Sequence, residues 1–466
     1  MSPRLRPAWP VFLFAAVLLR AAGPDFAAAE SETLARLQEL VRIDTSNPPG
    51  NETAVAERLK AVLDREGIPA EILASAPHRG NLVARLKGSG RKAPLLLMAH
   101  TDVVGVERDR WTVDPFAAVV RDGYLYGRGA VDDKSMVAAF LQVLLLLHRE
   151  RVALERDVIF AAVADEEMNG LHGIRFLVER HWDKIACEFA LNEGGNTVEE
   201  SGRVTYVGVA TTEKFPQTFF LAARGVSTHA SRPRLDNAVT HLAAAVARVG
   251  EWQPPMKLND TTRAFFAHLA RISPPTEAWR YARLEDPAVG PSAQEIIRRT
   301  DPVLNAMLRT TISPTIIKGG FRMNVVPADA TATLDVRLLP GEDVAAFAAQ
   351  LRALVADPAV EVIAAEHDGR QPAPPSSLTS ELYLALERAQ RRAYPGSVTV
   401  PIMSTGATDS AYLRPRGVQV YGVRSAADPA DGGPRAHGND ERLKLDGLRP
   451  FLEFVYHAVA DVAAEK

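Results

Sequence analysis

Only one of the 466 residues is a cysteine, Cys187. That excludes an internal disulfide, a cysteine-rich zinc site and an iron–sulfur cluster, so any metal must be held by histidines and carboxylates. An excess of one charge is also lacking: 54 Lys and Arg stand against 57 Asp and Glu, a formal charge of −3. Such a balance gives no electrostatic footing for nucleic acid or an anionic membrane surface. Walker A, G-x-S-x-G, H-E-x-x-H and G-x-G-x-x-G words are all missing, and the pair Gly127 and Gly129 is too weak to suggest a nucleotide. No internal repeat is evident, and 47% hydrophobic with 24% charged residues excludes long disorder, collagen and coiled-coil rods. At roughly 100–200 residues per domain, the length predicts two or three domains.

The first 30 residues are of another kind. Arg4 and Arg6 precede an apolar run from Val11 to Leu19, and Ala27-Ala28-Ala29 stands before Glu30. Basic flank, short apolar centre and small-residue cleavage site are the parts of a secretory signal. The run is shorter than the roughly 20 residues of a spanning helix; an uncleaved anchor helix is the alternative. The expectation is a signal peptide over residues 1–29 and a soluble, exported enzyme without stable membrane contact after cleavage. Export without disulfides fits a bacterial periplasm.

Beyond it, helical and strand patterns alternate. Helical periodicity over 32–66 is broken by Asn47-Pro48-Pro49-Gly50. Short apolar runs at 81–86, 94–99, 157–163 and 188–191 read as strands, and 133–149 and 172–180 as helices. Strands alternating with helices predict an α/β domain with a mostly parallel sheet. Near Glu213 the order becomes strand 217–223, helix 237–252, strands 311–317 and 330–338, helix 343–355 and strand 360–365. That βαββαβ order is ferredoxin-like, with a helical insertion expected over 253–309. A helix at 380–394, strands near Val398 and Val418 and a helix near 443–464 return to the first style. The reading is a catalytic domain over 30–212 and 371–466, with a lid and dimerisation domain, 213–370, inserted.

The chemistry lies in polar words that end apolar strands. Leu97-Met98-Ala99-His100-Thr101-Asp102 puts His100 and Asp102 on one face of an extended chain, where a carboxylate can fix the tautomer of a metal-ligating imidazole; a solvated strand end reads equally well. Gly127-Arg128-Gly129-Ala130-Val131-Asp132 puts Asp132 at a helix start, where an ordinary N-cap is the plainer reading. Asp165-Glu166-Glu167 follows a buried strand, and adjacent carboxylates repel unless a cation or solvent screens them. Asn192-Glu193-Gly194 ends another strand, and His437-Gly438-Asn439-Asp440-Glu441 leads to the last helix. Parallel sheets bind ligands beyond the carboxyl ends of their strands. Two histidines and several carboxylates meeting there would suit a divalent ion, zinc first.

These words resemble, in order and over nearly the whole chain, the dizinc amidohydrolase and exopeptidase family of aminoacylase, acetylornithine deacetylase, succinyl-diaminopimelate desuccinylase, carboxypeptidase G and carboxypeptidase S. The resemblance implies a zinc-exopeptidase-like catalytic domain with an inserted lid, and two zinc ions, cobalt being the alternative. By position His100 and Glu193 would hold one ion, Glu167 and His437 the other, and Asp132 both. Asp102 would orient His100 and Glu166 would be the general acid/base. In the lid, His229 of Ser227-Thr228-His229-Ala230-Ser231 would bind the substrate carbonyl. Asn324 of Asn324-Val325-Val326-Pro327 and Arg337 of Asp335-Val336-Arg337 would bind a substrate carboxylate, and Gly406 opens a substrate loop ending at Asp409. The substrate implied is a small peptide or N-acyl amino acid, with a homodimer through the lid. Thr228, Met168-Asn169 and Ser135 depart from the usual words without removing a ligand or the base. A binding protein that keeps the fold without turnover is the second reading.

Overall fold

Residues 23–366, 369–424 and 436–465 are described by a computed structural model. Most of the expected signal lies outside the described residues. Its expected boundary after Ala29 falls in the first turn of helix Phe26–Val41, where Asp25 caps the amides of Ala27 and Ala28. Asn47-Pro48-Pro49-Gly50 separates that helix from Glu52–Arg65, because proline cannot donate within a helix interior.

Strands Leu95–His100, Val158–Val163 and Phe189–Asn192 are buried at every residue, the pattern of strands covered on both faces. Leu95–His100 lies between the other two and runs parallel to both, and Gln419–Gly422 continues parallel beside Phe189–Asn192. Antiparallel strands Gly80–Leu86 and Ala70–Ala74 complete one side of the sheet. Helices Phe26–Val41, Lys134–Arg149 and Leu448–Ala463 form one core with the sheet, and Ile174–Arg180 packs on its other face. The parallel centre sends His100, Val163 and Asn192 to the same edge, which carries the acidic words there.

Strand Arg203–Glu213 has no counterpart in the sequence reading, since its outer half alternates polar and apolar and it follows a turn-rich stretch. It pairs parallel with Val398–Ser404 and antiparallel with Asn196–Glu200. One residue later, strand Phe215–Arg224 begins the lid sheet, whose order is Thr311–Gly319, Asp329–Leu338, Phe215–Arg224, Val360–Ala364, all antiparallel. Helices Ala238–Glu251 and Val344–Val355 cover one face of it, completing the ferredoxin-like order. The insertion forms helices Asp260–Ile272, Pro275–Ala282, Gly290–Thr300 and Pro302–Leu308. Its apolar side, including Phe265, Phe266 and Ile297, packs on Val400, Ile402 and Met403 of the catalytic sheet rather than on the lid helices.

The start of the last helix differs from expectation. Arg442–Lys444 is a strand paired with Tyr124–Tyr126, and the helix runs Leu448–Ala463. That pairing draws the His437 loop onto the glycine turn at 127–129.

Candidate metal centre and active site

His100 is the last residue of its strand. Its Nδ1 faces the main-chain carbonyl of Asp102 at 3.0 Å and the Asp102 carboxylate at 3.4 Å. Its Nε2 is thereby turned outward, 2.9 Å from Asp132 Oδ1 and 3.8 Å from Glu193 Oε1. The Asp102 carboxylate is engaged more closely elsewhere: it accepts from the amides of Glu166 at 3.1 Å and Glu167 at 3.2 Å, and from Asn47 at 2.8 Å. It ties the strand end to the acidic turn.

Asp132 reaches the site through a turn that needs glycine. Gly129 has φ +84°, and a Cβ there would lie 2.7 Å from a Val103 methyl. The N-cap position of helix Lys134–Arg149 falls to Asp133, which makes no side-chain cap bond, so capping does not explain Asp132. Asp132 instead stands between two imidazoles, Oδ1 by His100 and Oδ2 by His437 Nε2 at 3.1 Å. Burial opposes its ionisation, but the bonds to His100 and His437 outweigh this and hold the carboxyl well below the usual range. Glu167 Oε2 is 3.0 Å from His437 Nε2, while its Oε1 is buried without a hydrogen-bond partner among the described residues. His437, bonded to Asp132 and Glu167, is pushed up to about 10.

Burial also opposes ionisation of the carboxylates of Glu166 and Glu193. Burial raises Glu193 well above the ordinary value, helped by Glu166. Burial likewise raises Glu166, with His100 opposing and Asp409, Asp132 and Glu167 adding. A buried acidic cluster with an orphaned oxygen is an arrangement that cations relieve. Ligand atoms of His100, Asp132 and Glu167 lie within 4.8 Å of one another, as do those of His100, Asp133 and Glu193. The donor set, two imidazoles with a carboxylate offering one oxygen to each and further carboxylates on either side, fits two adjoining divalent ions.

Three supporting residues had no assigned role in the sequence reading. Glu441 accepts from the amides of Val131 at 2.8 Å and Asp132 at 3.1 Å and pairs with Arg128 at 2.6 Å. Arg128 also donates to the His437 carbonyl at 3.3 Å, so the two ligand loops are locked together. Asp133 brings to the His100 side a buried oxygen that has no hydrogen-bond partner among the described residues. Only the place of Glu441, four residues after His437, hinted at a link.

The lid residues are not gathered with the ligands. His229 pairs with Val325 in a two-residue ribbon, and the Ala230 amide donates to the Asn324 carbonyl at 3.0 Å, so His229 and Asn324 adjoin. Both are exposed, and His229 Nδ1 contacts Ser231 Oγ at 2.8 Å. Arg337 lies near the opposite end of strand Asp329–Leu338, bound through two nitrogens to Asp335 at 2.7 and 3.0 Å. Gly406 donates its amide to Ser404 Oγ at 3.2 Å, next to Thr408, which donates to Glu213 at 2.9 Å. Asp409 is buried, neither of its oxygens has a hydrogen-bond partner among the described residues, and burial pushes it up to about 8.

Comparison with known proteins gives the family and the fold. Residues 96–461 match the model of peptidase family M20/M25/M40. The chain is 27% identical over 452 residues to human N-fatty-acyl-amino acid synthase/hydrolase PM20D1, covering 94% of this chain and 88% of that protein. It shares its fold with the M20 family metallo-carboxypeptidase Sso-CP2 from Sulfolobus solfataricus, at 18% identity and a TM-score of 0.70 over 92% of this chain and 99% of that one. A dinuclear metal-binding M20 peptidase, YXEP of Bacillus subtilis, aligns at 15% identity and a TM-score of 0.61 over 94% and 99% of the two chains. The strand-end ligand set and a family match running from the first ligand strand to the final helix lead to one conclusion: this chain is an enzyme belonging to peptidase family M20/M25/M40.

Proposed function

We propose that this chain is an exported, zinc-dependent hydrolase of the amide bond in N-acyl amino acids or small peptides. The observation that carries the reading is Asp132, with an oxygen turned to each of two imidazoles and Glu166 beside them. His100, Asp132 and Glu193 would hold one ion, and Asp132, Glu167 and His437 the other. Bound there, zinc or cobalt supplies Lewis-acid polarisation of the amide carbonyl and acidifies the attacking water. Glu166 takes a proton from that water at its carboxylate and returns it to the leaving amine. Asp102 keeps Glu166 aimed by holding its amide, and Arg128 with Glu441 keeps Asp132 and His437 in register. The presence of Glu166 and of every ligand-type residue supports turnover over a binding role. The name of the human relative supports the N-acyl amino acid class, and those of the structural neighbours support peptides. The basic, apolar and small-residue order of the N-terminus supports export, and no described helix is long and apolar enough to cross a membrane.

Arg337 and Asn324 are proposed to receive the substrate carboxylate, with Arg337 exchanging Asp335 for it. His229 is proposed to donate to the carbonyl oxygen as negative charge develops there. Its exposure on the lid requires that the lid close, or that the lid of a second copy dock. Strand Thr311–Gly319 supports docking, since Ile316 and Ile317 are 49% and 62% exposed and, among the described residues, the strand is an edge whose outer rim of backbone groups is open to pairing. His229→Ala is expected to keep its metal and its fold and to lose roughly 10²–10³ in kcat, with KM changed much less. Metal content and steady-state kinetics on one preparation check this. Near-native kcat would make His229 a loop residue only.

A further inference from the structure

Asn47-Pro48-Pro49-Gly50 contributes no expected ligand, yet buried contacts bind it to the acidic turn. Asn47, 6% exposed, uses one amide nitrogen to donate to two carboxylates, Asp102 Oδ2 at 2.8 Å and Asp165 Oδ1 at 2.9 Å. Arg79, also buried, donates to Asp165 Oδ1 at 2.6 Å, to Pro49 O at 2.9 Å and to Asn47 Oδ1 at 3.3 Å, and pairs with Glu52 at 2.9 Å. The Asn47–Gly50 turn is shaped around that guanidinium. Gly50 has φ +83°, and a Cβ there would meet Arg79 Cζ at 2.7 Å.

The residue they clamp is unusual. Asp165 has φ +68°, a left-handed conformation that a non-glycine residue keeps only when its surroundings fix it. Its second oxygen accepts from the His172 amide at 3.0 Å and its carbonyl from the Gly170 amide at 2.7 Å. The backbone therefore turns sharply at Asp165, immediately before Glu166 and Glu167, whose amides both donate to Asp102. Asp102 and Asp165 face the same amide nitrogen, so the two carboxylates would repel without that shared donor and the charge of Arg79.

We propose that Asn47 and Arg79 are positioning residues: they hold the left-handed Asp165 turn against Asp102 and so set the directions of Glu166 and Glu167. The role rests on the assignment of Glu166 and Glu167 in the proposed function. Neither Asn47 nor Arg79 touches substrate or metal in it. Loss of such an outer partner costs roughly 10–100-fold in metal affinity or activity.

The test uses full-length native protein, Asn47→Ala and Arg79→Lys, each titrated with Co²⁺ in a chelator buffer. Metal-free melting temperature, and kcat and KM for an N-acyl amino acid at saturating metal, are read on the same samples. Asn47→Ala is expected to melt near the native temperature without metal. One of its two binding steps should weaken roughly 10–100-fold, and kcat should fall by a similar factor while KM stays within about threefold. Arg79→Lys keeps the charge but lacks the fork that reaches Asp165, Asn47 and Pro49 together, so it should fall between the two. Native metal binding and kcat in Asn47→Ala overturn the proposal, as does equal loss of both binding steps together with a lowered metal-free melting temperature. Should Asn47→Ala not fold, native behaviour of Arg79→Lys in both readouts overturns it. A native protein that binds no Co²⁺ sinks the hydrolase reading itself, whereas native two-step binding with an unchanged variant sinks the positioning role alone.

Discussion

Glu166→Gln is expected to retain its metal and lose about 10²–10⁴-fold in kcat, the usual cost of removing a general acid/base. The substitution is nearly isosteric. It leaves untouched the contacts of Asp132 with His100 and His437 and of Glu167 with His437. What disappears is the ability to accept a proton from water and deliver it to an amine. Glu167→Gln, one residue on, should fail in the other order. Its Oε2 faces His437 and its Oε1 is buried with no partner among the described residues, so a neutral amide removes a ligand and metal affinity falls first. Metal content measured beside single-turnover hydrolysis separates the two. Wild-type kcat in Glu166→Gln would show that another group moves the proton.

Asp132→Ala should be the most damaging single change to metal binding. Each oxygen of Asp132 faces a different imidazole, so one truncation removes a ligand from both proposed sites. Both binding steps are expected to weaken by more than the roughly 10–100-fold that loss of an outer partner costs. Hydrolysis at stoichiometric metal should fall to background. Equilibrium titration with zinc or cobalt reads this directly. Loss of one step with the other intact would show that Asp132 serves a single ion.

How much of this could be read from the chain depends on how local each signal is. His100, Glu166, Glu167 and Glu193 stand directly after short apolar runs, and a parallel sheet sends the ends of such runs to one edge, so their meeting follows from pattern alone. Asp132 and His437 were visible as polar words but needed the order of all five to stand out from an N-cap and a loop. Asn47, Arg79 and Glu441 were not visible as supports. Their partners, Asp165 and the amides of Val131 and Asp132, lie 86 to 310 positions away in the chain, and no periodicity encodes such contacts. Strand Arg203–Glu213 escaped because its outer residues alternate without a bounded apolar run, and strand Arg442–Lys444 because three residues merge into the apolar pattern of the helix after them. The lid's element order was readable from periodicity. That His229 and Asn324 adjoin while Arg337 stands near the far end of a strand was not, because register decides it.

The most direct test of the account is metal analysis and hydrolysis on one chelator-free preparation, assayed with a panel of N-acyl amino acids and dipeptides before chelation, after it, and after zinc or cobalt is restored. About two metal equivalents per chain are expected, with amide hydrolysis that disappears on chelation and returns with metal. A fully active preparation containing no metal would contradict it.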